Sequence, residues 1–176
     1  MIYVAMYLTA IVAANLTVTY FGPAVSVLNA FLFIGLDLTA RDALHEQWNG
    51  RHLVRNMTLL IAFGSLLSWF LNRDAGQIAI ASFLAFAAAA IVDAVVYHRL
   101  DGRSRWLKIN GSNVPSAVVD SLVFPLVAFG WPPLVGIMAG QFAAKVLGGA
   151  VWSVVIVRFF SDDASAPTKR RPRTGI

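Results

Sequence analysis

The sequence contains no cysteine, which excludes disulfides, thiolate metal sites and a thiol nucleophile. It is also poor in charge. Asp, Glu, Lys and Arg make up 13% of its 176 residues, about half of the roughly 25% that a water-facing surface demands. Most of the surface therefore faces something other than water. HExxH, GxSxG, a phosphate-binding loop and a carboxylate-rich metal cluster are all missing, so no enzyme is expected. Asp93 and Asp120, on different apolar stretches, are the one feature that imitates a paired-carboxylate protease. His45, His52 and His98 have no metal-ligand spacing, and neither a metal nor a cofactor is expected. The first apolar stretch lacks a basic leader and is too long for a signal peptide, so it is expected to remain as a span.

What is present is apolar sequence. Hydrophobic residues account for 58% of the chain, and mean hydropathy is +0.68. A helix needs about 20 apolar residues to cross a hydrocarbon core of about 30 Å. Six such stretches are readable: residues 2–20, 24–44, 53–71, 77–97, 114–130 and 134–160. Gly22-Pro23, Asn72 to Gly76 and Gly130 to Pro133 punctuate them as tight turns, and 41–55 and 99–113 are longer polar connections. Barrel strands would alternate polar and apolar residues, whereas Ile78 to Val92 is apolar on every face and Ala85 to Ala90 favours helix. The expected fold class is an all-α membrane protein, a bundle of about six transmembrane helices. The expected division is a membrane domain over 1–160 and a basic, disordered tail over 161–176.

Twelve of the 14 basic residues fall in the second and fourth connections and the tail, Arg73 falls opposite, and Lys145 lies inside a span. Cytoplasmic loops collect Lys and Arg, so this split places both termini in the cytoplasm, with the plasma (inner) membrane crossed several times. Trp69 and Trp131 fall at outer helix ends, Trp48 and Trp106 at inner ones, as interfacial aromatics do. The pI near 10.1 is thus a topology signal. The basic tail meets anionic lipid, and nucleic acid is not an expected partner.

An ionisable group at mid-bilayer costs at least about 2.5 kcal/mol, so polar residues inside the spans mark candidate sites. Asn15 and Asn29 lie in the first two, Asp42 and Glu46 share a face at the inner end of the second, and Asp93 lies late in the fourth. Asn113, Ser116 and Asp120 fall at i, i+3 and i+7 on the fifth, and Gln141 and Lys145 pair at i, i+4 on the sixth. Beside that pair, Gly136, Gly140, Ala144 and Gly148 form a small-residue ridge for a close neighbour. Structural readings stand alongside. Asp42 and Glu46 fit surface pairs with Arg41 or Arg51, Asp93 fits a lock with Arg99, and Asp120 with Lys145 fits a buried ion pair. Asp120 lies about ten residues before the Gly130 to Pro133 turn and Lys145 about twelve after it. At 1.5 Å per residue both should sit roughly 15 to 18 Å below one surface on adjacent antiparallel helices, where they should face each other or share a cavity.

The ordered set of polar residues resembles a known family. Asp42-x-x-x-Glu46 followed by Trp48 and Gly50 is similar to a segment after the second helix of the VUT family of queuosine precursor transporters. Ala14-Asn15 resembles that family's first helix. Ile91 to Tyr97 with Trp106-Leu107-Lys108 resembles its fourth helix and loop, and Ser112-Asn113 through Ser116, Asp120-Ser121 and Phe124 its fifth. Lys145 falls where the family carries a lysine in the sixth. The glycine after Glu46 comes one residue late, and the basic tail is not a family mark.

The resemblance implies uptake of a 7-deazaguanine base, such as 7-cyano-7-deazaguanine, across the inner membrane. A guanine-like edge carries two adjacent donors and a carbonyl acceptor. One carboxylate can take both donors, while Asn, Gln or Lys serves the carbonyl. Phe124, Phe142 or Trp152 could stack on the ring. Two other classes remain open: the substrate-binding subunit of an energy-coupling-factor importer, and a membrane protein that transports nothing. Partner subunits or a homo-oligomer are likewise left open by the sequence.

Overall fold

The computed structural model describes residues 2–33, 52–100, 102, 103 and 105–160. The described residues are helical, with no strand. Six helices follow in order: α1 (Ile2–Phe21), α2 (Pro23–Phe33), α3 (Leu53–Leu71), α4 (Gly76–Arg99), α5 (Arg105–Phe129) and α6 (Val135–Phe160). The protein is an all-α membrane protein. Three stretches, Tyr3–Phe21, Arg73–Asp93 and Gly111–Phe129, are long and apolar enough to cross a bilayer. Asp42, Glu46, Trp48 and the 161–176 tail lie outside the described residues, as do the remainder of the second apolar stretch and its connection to α3.

Tight turns close three helix pairs at one end of the bundle. Gly22 (φ +77°) and Gly130 (φ +74°) adopt the left-handed conformation that ends α1 and α5, with Gly22 N donating to Val18 O and Gly130 N to Leu126 O. The third turn is a short 3₁₀ segment, Arg73–Ala75, capped by the Asn72 side chain, which accepts from Asp74 N at 2.9 Å. Its Arg73 guanidinium stacks 4.0 Å from the Trp69 ring centroid. These ends meet in an apolar cluster of Val18, Ile78, Ala81 and Ala128. A second cluster, Tyr7, Met57 and Ile61, fills the far half between α1 and α3.

Small residues set the helix spacings. Ala81, Ala85 and Ala89 recur every fourth residue on α4 and are buried, giving a smooth ridge on the helix that packs most intimately with α5. A Cβ on Gly64 would come within 2.9 Å of Ile11 Cγ2, and one on Gly140 within 3.1 Å of Val27 Cγ2. The ridge expected on α6 is therefore used against α2 at Gly140, while Gly136 faces open space. Leu59, Phe63, Leu66 and Phe70 line one exposed face of α3, the pattern of a helix whose outer surface meets lipid rather than water.

One boundary differs from the sequence reading. The fifth helix begins at Arg105, nine residues before the apolar stretch starting at Val114. Apolarity marks where a helix enters hydrocarbon, and backbone hydrogen bonding continues past that edge into polar sequence.

Candidate functional site

Polar side chains inside the bundle gather at one depth, and each of the six helices supplies at least one. On α1, Asn15 Nδ2 donates to Ser68 Oγ of α3 (3.1 Å), and Asn15 Oδ1 accepts from Ser82 Oγ of α4 (2.6 Å). Ser68 passes its own proton to Gly64 O. On α2, Asn29 Nδ2 donates to Thr17 Oγ1 (2.9 Å) and to Ala14 O (3.2 Å). One turn away on the same helix, Ser26 Oγ accepts from Gln141 Nε2 of α6 at 2.8 Å. One turn further along α6, Lys145 Nζ reaches Asp120 Oδ2 of α5 at 2.5 Å and Ser121 Oγ at 3.2 Å.

The depths agree. Asn15 lies six residues before the end of α1 at Phe21, and Ser82 and Gln141 lie six after the starts of α4 at Gly76 and α6 at Val135. Asp120 is nine before Phe129 and Lys145 ten after Val135. With Ser26 and Ser68 three residues from the ends of α2 and α3, the belt spans roughly 5 to 15 Å from the tight-turn end at 1.5 Å per residue. Each hydrogen bond within it replaces one that water would supply elsewhere, which is how hydrocarbon-facing helices tolerate such groups.

The Asp120–Lys145 pair stands out within this belt. It is an ion pair on adjacent antiparallel helices, as the turn spacing implied, and its side chains keep partial exposure, 31% for Asp120 and 16% for Lys145. Pro115 and Pro125 both lie inside α5, five residues to either side of Asp120. A proline has no N–H to give the carbonyl four residues earlier. The helix therefore leaves the carbonyls of Gly111 and Ser121 without their usual main-chain donor, on the helix that carries the partly exposed Asp120 carboxylate. Beside it, a groove of about 540 Å³ opens between α5 and α6, lined by Val118, Leu122, Leu126, Met138 and Phe142 with Ser121 as its polar contribution.

The other anticipated residues are placed as follows. Asn15, Asn29 and Gln141 are buried, and each spends amide donors on a neighbouring helix. Asn113 is exposed and Ser116 half-buried on the far half of α5. Asp93 lies six residues before the end of α4 at Arg99; Arg99 is exposed, and no lock between them forms. Asp42 and Glu46 lie outside the described residues. Of the stacking candidates, Phe142 lines the groove, Phe124 meets Phe129 edge to face at 5.9 Å, and the Trp152 side chain lies outside the described ones. No group of three metal-ligating side chains occurs among the described residues.

Sequence reasoning missed the hydroxyl partners Thr17, Ser26, Ser68 and Ser82 and the two prolines of α5, and named Ser121 only within the family resemblance. Serine is common in apolar helices, so the partner of a given asparagine is not visible from one chain. The Pro115, Asp120, Pro125 spacing was visible and is the signal that could have singled out α5.

Residues 1–159 match a family whose description reads "Putative vitamin uptake transporter". Neither the curated proteins nor the solved structures give a match.

Proposed function

The chain belongs to that family of vitamin uptake transporters, and on this premise we propose that it imports a queuosine precursor, a 7-deazaguanine base such as 7-cyano-7-deazaguanine. The observation that carries the reading is the Asp120–Lys145 pair between two in-helix prolines. α5 runs unbroken from Arg105 to Phe129, yet Pro125 withholds the N–H that the carbonyl of Ser121, next to Asp120, would ordinarily accept. In the unloaded protein the two charges satisfy each other. A guanine-type base offers its ring N–H and exocyclic amine to the Asp120 carboxylate and its carbonyl to Lys145 Nζ, so each charge exchanges one partner for another. Ser121, at the groove, supplies further polar contact, and Phe142 supplies an apolar face for the ring. Gln141 and Asn29 hold α6 and α1 against α2, which fixes the height of the site.

Six crossings of the plasma membrane, with both termini in the cytoplasm, fit the distribution of basic residues and the three tight turns at one end. The topology is tested by reporters active only in the cytoplasm. Fusion after Ile176 gives activity, and fusion near Arg73 gives none.

The substrate reading is tested on detergent-purified protein with a panel of nucleobases and vitamins, scored by ligand-induced thermal stabilisation. Guanine and 7-cyano-7-deazaguanine stabilise it. Adenine, whose exocyclic group reverses the donor and acceptor order, binds roughly 10- to 100-fold more weakly because a charged group is left unpaired. Equal affinity for adenine overturns recognition by a carboxylate. Uptake of labelled base into cells that lack any coupling-factor ATPase separates a self-sufficient transporter from the binding subunit of a larger importer.

A further inference from the structure

Among the described residues, one enclosed carboxylate oxygen of the bundle is unanswered. Asp93 lies 17 residues into α4, about 25 Å from the tight-turn end and some 16 Å beyond Ser82. Its Oδ1 is enclosed and has no hydrogen-bond partner, and it forms no ion pair with any described residue. The helices packed on α4 are α5, α3 and α1. Near this depth α3 carries Arg55 and His52, both exposed, and the Arg55 guanidinium is turned to Asn56 Oδ1. Tyr3 and Tyr7 stand on α1, and His98 and Arg99 on α4 are exposed. On α5 the basic residues Arg105 and Lys108 have side chains outside the described ones. The level is otherwise occupied by neutral oxygens, since Ser112, Asn113 and Ser116 lie 13 to 17 residues before Phe129. Arg73 and Asp74 are at the opposite end.

The belt shows how this protein treats a charge within the bundle: Asp120 has Lys145. Asp93 closes the apolar span at its far end, where an enclosed carboxylate oxygen left without a hydrogen-bond partner still carries a desolvation cost. Neither His98 nor Arg99 of α4, both exposed, meets that oxygen. We propose that Asp93 is the binding site of the coupling cation, one proton or one sodium ion carried inward with each molecule of substrate. The chemistry is a single carboxylate charge answered by a single monovalent cation. Its separation from Asp120 lets cation and solute bind at different depths on α4 and α5, the two most closely packed helices, so that occupancy of one site bears on the other through a shared unit. The inference rests on the uptake reading for its purpose, but not for its first test.

That test uses purified full-length protein without any substrate. The wild type is melted over a sodium series at constant ionic strength, with potassium as control, and separately over a pH series, beside Asp93→Asn and Asp120→Asn. A sodium-dependent rise in Tm that is absent from Asp93→Asn and retained in Asp120→Asn assigns sodium. A pH dependence that is reduced in Asp93→Asn but not in Asp120→Asn, with no sodium response, assigns the proton. If the wild type responds to neither, or Asp93→Asn responds as the wild type does, the proposal is overturned. The second arm uses proteoliposomes and labelled 7-cyano-7-deazaguanine. A membrane potential of about 100 mV supports roughly 50-fold accumulation of a neutral solute that moves with one cation. Asp93→Asn should abolish this accumulation while still exchanging internal for external label without a gradient. Loss of exchange in the wild type defeats the substrate assignment alone. Gradient-driven accumulation surviving in Asp93→Asn defeats the cation site alone.

Discussion

The two halves of the bundle solve the same problem differently. Toward the tight turns, polar side chains on all six helices are paired into a belt through Asn15, Asn29, Gln141 and the Asp120–Lys145 bridge. In the far half, the apolar cluster of Tyr7, Met57 and Ile61 packs beside α4, whose Asp93 remains unanswered. A group whose partners are all protein atoms contributes to holding helices together. One that has an unsatisfied oxygen, or a partner that a ligand can replace, is available for chemistry. The belt contains both kinds, because Asn15 is fully engaged and buried whereas the Asp120–Lys145 pair retains exposure.

The comparison breaks most decisively at that pair. Asp120→Asn and Lys145→Met should each lower uptake per folded molecule by roughly 10- to 150-fold, the equivalent of one charged hydrogen bond. The double substitution should not recover uptake. Recovery of both protein level and uptake in the double would make the pair a structural tie and would place the substrate elsewhere. Normal uptake in both single variants would remove either role.

Close packing gives the next largest effect. Gly64→Leu drives a side chain into Ile11 on α1, where even a Cβ would stand 2.9 Å away. Overpacking of this kind costs about 1 to 3 kcal/mol or more, read as lost folded protein in detergent thermal melts. Unchanged melting would mean that α1 and α3 separate more easily than their contact suggests.

Asn15→Ala sharpens the distinction between engaged and available polar groups. Ser82 loses its acceptor and Ser68 a donor, at a cost of about 1 to 3 kcal/mol, seen as a lower Tm. Uptake per folded molecule should remain within about twofold of wild type, since less than 0.5 kcal/mol of binding is at stake if Asn15 acts only between helices. A large loss of uptake with normal stability would move Asn15 into the substrate site.

The smallest effect is expected at Ser65, a buried hydroxyl with no partner. Ser65→Ala removes an unsatisfied group at little cost in shape and should raise stability by up to about 1 kcal/mol. A fall in Tm would reveal a partner for it.

The helices themselves were legible. The third was read as Leu53 to Leu71 and is found there, because its ends are fixed by local signals: a polar stretch before it and Asn72 after it. The turns at Gly22 and Gly130 were equally plain, since a left-handed residue favours glycine and its neighbours cannot mask the requirement. The start of α5 was not, because Arg105 to Asn113 is helical by backbone and polar by composition. Turn length alone placed Asp120 opposite Lys145, as two helices joined by a few residues lie side by side and 1.5 Å per residue fixes their relative heights.

Sequence by itself therefore determined an all-helical membrane protein, its tight turns, its family resemblance and one charge pair between neighbours in the chain. The tertiary structure decided which hydroxyl meets which amide, that α4 buries a small-residue ridge of its own at Ala81, Ala85 and Ala89, and that Asp93 Oδ1 finds no partner among the described residues. The physical reason is distance along the chain. Periodicity and turn length constrain residues a few turns apart, whereas Asn15 with Ser82, or Ser26 with Gln141, are brought together only by how six helices pack.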